Sequence, residues 1–133
     1  MPIEVNWFND SQSVVYLAVS DPWTWNDFFS ASRQAALLTQ QVRHEVCFLA
    51  DFTYAKQFPH GVSLQRIRTI FDFKHPNSGV LVSFGVSPFM RVMLNTVLSA
   101  VGRVDTRAMT VNTLDDALGV IAEYRATHGH CPT

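Results

Sequence analysis

Three short apolar runs constrain this chain more than anything else in it: Val14-Val15-Tyr16-Leu17-Ala18-Val19, Val46-Cys47-Phe48-Leu49-Ala50 and Val80-Leu81-Val82-Ser83-Phe84-Gly85. Each is short and almost continuously apolar, the pattern of a strand covered on both faces. Stretches with helical periodicity lie between them. Strands that alternate with crossover helices build a mostly parallel sheet.

The remaining elements follow from local signals. Ile3 to Phe8 and Val14 to Ser20 flank the polar cluster Asn9-Asp10-Ser11-Gln12-Ser13, which suits a hairpin loop and adds an antiparallel edge strand. Thr24-Trp25-Asn26-Asp27 has the form of a capping box. Behind it Trp25, Phe28, Ala31, Ala35, Leu38 and Val42 recur at helical spacing, which predicts a helix over Thr24 to Gln41 with Trp23 and Phe29 near the surface, as a docking patch or buried beneath the folded-over hairpin. A second helix is expected over Val62 to Lys74, with Leu64, Ile67, Ile70 and Phe71 inward and Pro76-Asn77-Ser78-Gly79 as its break. Ser87-Pro88 opens a third, with Ser as cap and Pro in the first turn. Its expected inner face is Phe89, Met93, Val97, Ala100 and Val101, with Gly102 as the stop. Ala108 to Val111 reads as a short strand. Thr113-Leu114-Asp115-Asp116 is a second capping box, opening a helix that Gly129 ends and that turns Leu114, Ala117, Leu118, Ile121 and Tyr124 inward.

The expected fold class is thus α/β: a single domain over 1–133, with a mostly parallel four- to five-stranded sheet, an N-terminal antiparallel hairpin and about four helices. The order is β-β-α-β-α-β-α-β-α, and 126–133 form a flexible tail. At 133 residues the length is that of one domain. Apolar residues are 47% and charged ones 16%, a charge deficit that points to a surface covered by a partner or a second copy. A net charge of −1 with scattered Lys and Arg argues against nucleic acid. No apolar stretch reaches the roughly 18 residues of a membrane span. The start, Met1-Pro2-Ile3-Glu4-Val5, lacks the basic and apolar regions of a signal peptide. Cys47, inside an apolar run, reads as a small hydrophobe, and a second thiol at Cys131 is ordinary in a reducing compartment. A cytoplasmic location is expected.

The richest junction is the exit of the second apolar run, where Asp51-Phe52-Thr53 leads through a loop, Tyr54 to Gly61, into the next helix. In parallel sheets, ligands and regulatory chemistry gather at the carboxyl ends of strands. Asp51 and Thr53 read as turn-closing groups, bonding loop N–H groups, or as a contact for a ligand or partner. His60, before Gly61, reads as a solvated loop residue or a pH-tunable contact. The corner Phe84 to Phe89 joins a strand to a helix N-terminus, with Arg91 one turn in. It lacks the several glycines of a phosphate cradle, so capping is its plainer reading. His128-Gly129-His130-Cys131 offers three ligand-type residues where a structural zinc site needs four at characteristic spacing. No nucleophile is paired with a base by any known spacing.

Over nearly its whole length the order of elements resembles the SpoIIAA-like (STAS-type, or STAS/SEC14-like) domains of bacterial anti-sigma factor antagonists. Asp51-Phe52-Thr53 looks like the Asp-apolar-Ser/Thr close of that family's central strand, and Thr113-Leu114-Asp115-Asp116-Ala117-Leu118 like its last helix start. Where members carry Asp-Ser-Ser/Thr-Gly, this chain reads Phe58-Pro59-His60-Gly61, with Ser63 two residues on. The resemblance implies partner binding without the usual phospho-acceptor serine.

The expectation is therefore a non-enzymatic interaction or regulatory domain that binds a protein partner or itself, with no catalytic residues, metal or cofactor. Its expected contact residues are Asp51, Thr53, Phe58, His60, Gly61, Val62, Ser63, Arg66, Ser87 and Arg91. Loops after neighbouring parallel strands share one edge, which unites them. The alternative is a small-molecule carrier or sensor for a lipid- or nucleotide-like ligand, with a cavity between the sheet and the helices carrying Phe71 and Met93.

Overall fold

The computed structural model describes residues 2–61, 63–67, 77–100 and 108–128. Strand β1 (Ile3–Trp7) pairs antiparallel with β2 (Val14–Ser20), closing the expected hairpin. Helix α1 (Trp25–Gln40), strand β3 (Val46–Tyr54), a helical turn at 64–67, strand β4 (Ser78–Phe84), helix α2 (Pro88–Ala100), strand β5 (Ala108–Thr110) and helix α3 (Leu114–His128) follow. The sheet order is β1-β2-β3-β4-β5, and the last four strands run parallel. The result is one α/β domain on a mixed five-stranded sheet. No helix among the described residues is long and apolar enough to cross a membrane.

The sequential strand order dictates where the helices sit. Crossovers are right-handed, and each here steps the same way across the sheet, so all three fall on one face. The core on that face joins Trp25, Phe29, Ala31 and Ala35 of α1, Ile67 of the helical turn, and Met90 and Val97 of α2 to Val15, Leu17, Ala50 and Phe52. Helix α3 follows the last strand and takes the other face, where Ala117 and Ile121 pack on Val14, Cys47, Leu49, Val80 and Val82. Its C-terminal end is tied to the sheet's amino edge: Arg125 donates to Ser13 Oγ at 2.8 Å and Tyr124 to Glu45 at 3.1 Å.

One helix cannot cover that face. Five strands span about 19 Å between outer axes at ~4.8 Å spacing, whereas a helix with its side chains is about 10–12 Å wide. The outward residues of β1 and the carboxyl halves of β2 and β3 are left open.

Several expected faces are rotated or extended. Trp23 and Phe29 are buried, at 5% exposure each, while Phe28 is half-buried. The cause is the segment leaving β3: the Trp23 indole donates to the Gln57 carbonyl and the Trp25 indole to that of Pro59, both at 3.0 Å, so the loop lids the aromatics. Asp21 holds that loop, accepting from the amides of Lys56 (2.7 Å) and Gln57 (3.3 Å). On α2 the inward stripe is Met90, Leu94 and Val97, and Phe89 and Ala100 are exposed; Val101 and Gly102 lie outside the described residues. Leu64 and Leu114 are also exposed. Strand β3 runs four residues beyond Ala50, because the loop expected at its exit first completes its pairing with β2. Residues 126–128, expected in a tail, continue α3, and 129–133 lie outside the described residues.

Asn77, read in the sequence only as part of a helix break, is a staple. Its amide nitrogen stands 2.9–3.1 Å from the carbonyls of Thr39, Val42 and His44, and its own carbonyl receives the Val46 N–H. It closes the end of α1 against the start of β4. Asn77→Ala leaves those carbonyls short of donors and is expected to cost about 1–3 kcal/mol, read as a lower urea midpoint; an unchanged midpoint would refute the assignment.

Candidate functional site

Asp51 sits near the end of β3 on the half of the sheet that α3 leaves open. Parallel register puts it beside Ala18 of β2 and Phe84 of β4. Alternation along β2 carries Tyr16 to the same face, and its hydroxyl donates to one carboxylate oxygen of Asp51. The other oxygen accepts the Thr53 amide at 2.9 Å. Tyr16 is the residue the sequence reading missed. Its period-2 position in an apolar run marks its face, but no local signal pairs it with an acid 35 residues away.

The electrostatics follow from these bonds. Burial raises the Asp51 pKa, but bonds from the Thr53 hydroxyl, from Tyr16 and from the Thr53 amide favour the anion and leave it below its ordinary value. Burial, the bond to Asp51 and the negative charge there all push the Tyr16 phenol upward. Asp51 is thus a stable carboxylate, and Tyr16 a donor rather than a base.

Thr53 is exposed, on a strand whose pairing with β2 is irregular between Ala18 and Ser20. Gly85, leaving β4, presses against it. A Cβ on Gly85 would stand 2.5 Å from Thr53 Oγ1 and 2.9 Å from its amide nitrogen, and Gly85 has φ +71°. Only glycine allows both the conformation and the approach. Beyond it Ser87 caps α2, its Oγ accepting the Met90 amide at 3.3 Å, and Arg91 donates to Asn112 Oδ1 at 2.9 Å. Asp51, Thr53, Ser87 and Arg91 therefore gather on the carboxyl edge of β3 and β4.

The other expected contacts form a second group, on the opposite side of the sheet from the Asp51 carboxylate. Phe58 packs edge-on against Trp25, with centroids 5.3 Å apart. His60 and Gly61 are exposed. Ser63 caps the helical turn, accepting the Arg66 amide at 3.3 Å, and the Arg66 guanidinium lies 3.8 Å from the centre of the Phe29 ring while donating to Asn26 Oδ1. Val62 lies outside the described residues, as do Phe71, Cys131 and the residues of the terminal His-Gly-His-Cys run beyond His128. Met93, on the expected cavity wall, is half-buried.

On α2, Phe89 and Val92 are each 62% exposed and lie one turn apart beside Arg91. Phe58, expected among the contact residues, is spent on the aromatic core. Among the described residues no group of three or more His, Cys, Asp or Glu could hold a metal ion. Comparison of the chain with family models, curated proteins and solved structures finds no match.

Two outcomes check this geometry. Asp51 contributes stability above the ordinary carboxylate range, and loses it as pH falls through its lowered folded-state value. Tyr16→Phe removes one donor, so it is expected to cost about 1 kcal/mol at pH 7, held low by solvent access. That cost should shrink below about pH 4, as read from denaturant midpoints across pH. Gly85→Ala combines a left-handed backbone with a clash against Thr53 and is expected to cost about 2 kcal/mol or more. A wild-type melting curve for that variant would contradict the close approach.

Proposed function

We propose that this chain is a non-enzymatic interaction domain of SpoIIAA-like type that works in the cytoplasm and binds a protein partner or a second copy of itself. The contact lies on the helix-bearing side of the carboxyl edge, centred on the first turns of α2. The observation that carries the reading is the pair Phe89 and Val92. An amphipathic helix in an isolated domain turns its large apolar residues inward, as Met90 and Val97 do here. Two more on the outward face, beside Arg91 and on the side that carries Arg66 and His60, make the apolar centre and polar rim of a modest interface.

The absence of a phospho-acceptor at Pro59-His60-Gly61 bears on how such a contact is regulated. Ser63 and Ser87 both spend their hydroxyls as helix caps. Association on this surface would be governed by apolar burial and concentration rather than by a switchable charge.

The test is a pair of surface variants, Phe89→Asp and Val92→Asp, in a pull-down from cells expressing the tagged chain, with light scattering of the purified protein. Each replaces exposed apolar area with charge, so folding should be preserved. Association is expected to weaken about tenfold or more, as for a central interface residue. Arg66→Glu, on the rim, should weaken it less. Undiminished binding and unchanged mass in both α2 variants would overturn the reading.

A further inference from the structure

The open half of the sheet, opposite α2, carries a charge pattern that nothing in the described chain answers. Register sets Glu4 of β1, Ala18 of β2 and Asp51 of β3 in one row across it. Strand axes lie about 4.8 Å apart, so the two acidic residues are about 10 Å apart, with only a methyl group between them. Ala18 is half-buried rather than sealed. Along β2, Tyr16 lies one step to one side of it. On the other side Ser20 pairs with Tyr54, which is 73% exposed. The row thus forms a shallow trough in which two acidic residues flank a small floor, with the Tyr16 phenol beside it. Phe8, its ring centre 5.8 Å from that of Tyr16, extends the aromatic end.

Charge decides what fits. Among the described residues no Lys or Arg forms an ion pair with Glu4 or Asp51. Asp51 is satisfied by neutral donors, Tyr16 and the Thr53 amide, and keeps its negative charge. A neutral or acidic surface laid on this face would desolvate two carboxylates without compensation, an unfavourable exchange. A cationic one supplies the missing charge. A planar guanidinium suits the trough better than an ammonium, because it presents donors to both sides and stacks on an aromatic face.

We infer that this open half-face docks an arginine-bearing segment of a protein partner, with the guanidinium seated over Ala18 between Glu4 and Asp51. The surface lies across the sheet from Phe89 and Val92, so it stands or falls separately from the α2 contact. Tyr16 has two parts in it: it holds Asp51 in place and offers its ring to the bound cation. Recognition of this kind weakens with added salt, because Glu4 is exposed and Asp51 only half-buried.

The test is a titration of the isotope-labelled full chain with a blocked nine-residue Gly/Ser peptide bearing three arginines. The controls are the same peptide with citrulline, a neutral isostere, and with lysine. Amide shifts should centre on the row Glu4, Ala18 and Asp51 with the arginine peptide, be weaker with lysine, and vanish with citrulline. Glu4→Gln, an exposed change that leaves the Asp51 network intact, should weaken binding about fivefold, as loss of one solvent-exposed ion pair does. Ala18→Lys places a tethered cation in the trough and should abolish it, while Phe89→Asp should leave it unchanged. The inference fails if citrulline binds as well as arginine, if lysine binds as well or better, or if the shifts map elsewhere. It fails equally if both row variants bind like wild type, or if the chain alone doubles its mass through a contact that Ala18→Lys removes.

Discussion

The structure depends on a constraint of winding. Four parallel strands are laid down in chain order, β2 to β5, so every crossover takes the same direction across the sheet, and crossovers of this kind are right-handed as a rule. Three helical crossovers are thereby committed to one face. Folds that reverse direction part-way share their helices between both faces; among the described residues only α3 is left for the second. The sheet is therefore sealed on one side and half-covered on the other. The two hydrophobic clusters follow from that division, and so does the half-burial of Ala18, Tyr16 and Asp51.

The sealed side has its own dependence, on the segment that leaves β3. Trp23, Trp25, Phe28, Phe29, Phe52 and Phe58 form a chain of edge-on ring contacts, with centroids 5.2–6.2 Å apart. Rings at this spacing gain more than their buried area alone. Two indole N–H groups would be left unsatisfied in such a cluster, and the carbonyls of Gln57 and Pro59 meet them. The loop is thus a structural lid, pinned by Asp21. Its tip, His60-Gly61, is what remains for solvent.

How much was legible depended on the range of the interaction. Helix caps are local, so Thr24 with Asp27 and Thr113 with Asp116 could be read directly. Strand alternation is also local, and it placed Asp51 and Thr53 at a strand end. On α1 the expected Trp25, Ala31 and Ala35 are buried, as is Val97 on α2, but Phe29 and Met90 were missed because each helix offers two overlapping apolar stripes. Periodicity cannot choose between Phe28 and Phe29, or between Phe89 and Met90. The choice fell to what packs opposite: the lid for Phe29, and the sheet for Met90. The candidate site was half legible. The acid and the hydroxyl at the strand exit were visible, but their partner Tyr16 was not, and neither was the pressure of Gly85 on Thr53. Both depend on register between strands, which no single segment encodes.

The amino-acid sequence by itself determined the α/β class, the hairpin at the start, the order of elements and the helix starts, because each rests on contacts within a few residues along the chain. Only the tertiary structure decided which helix faces were buried and which apolar residues were left outside. It also brought Tyr16 onto Asp51 and set Glu4, Ala18 and Asp51 in one row. Those last contacts required residues 14 (Glu4 and Ala18) to 35 (Tyr16 and Asp51) apart in the chain to meet in a particular register, and register is a property of the assembled sheet.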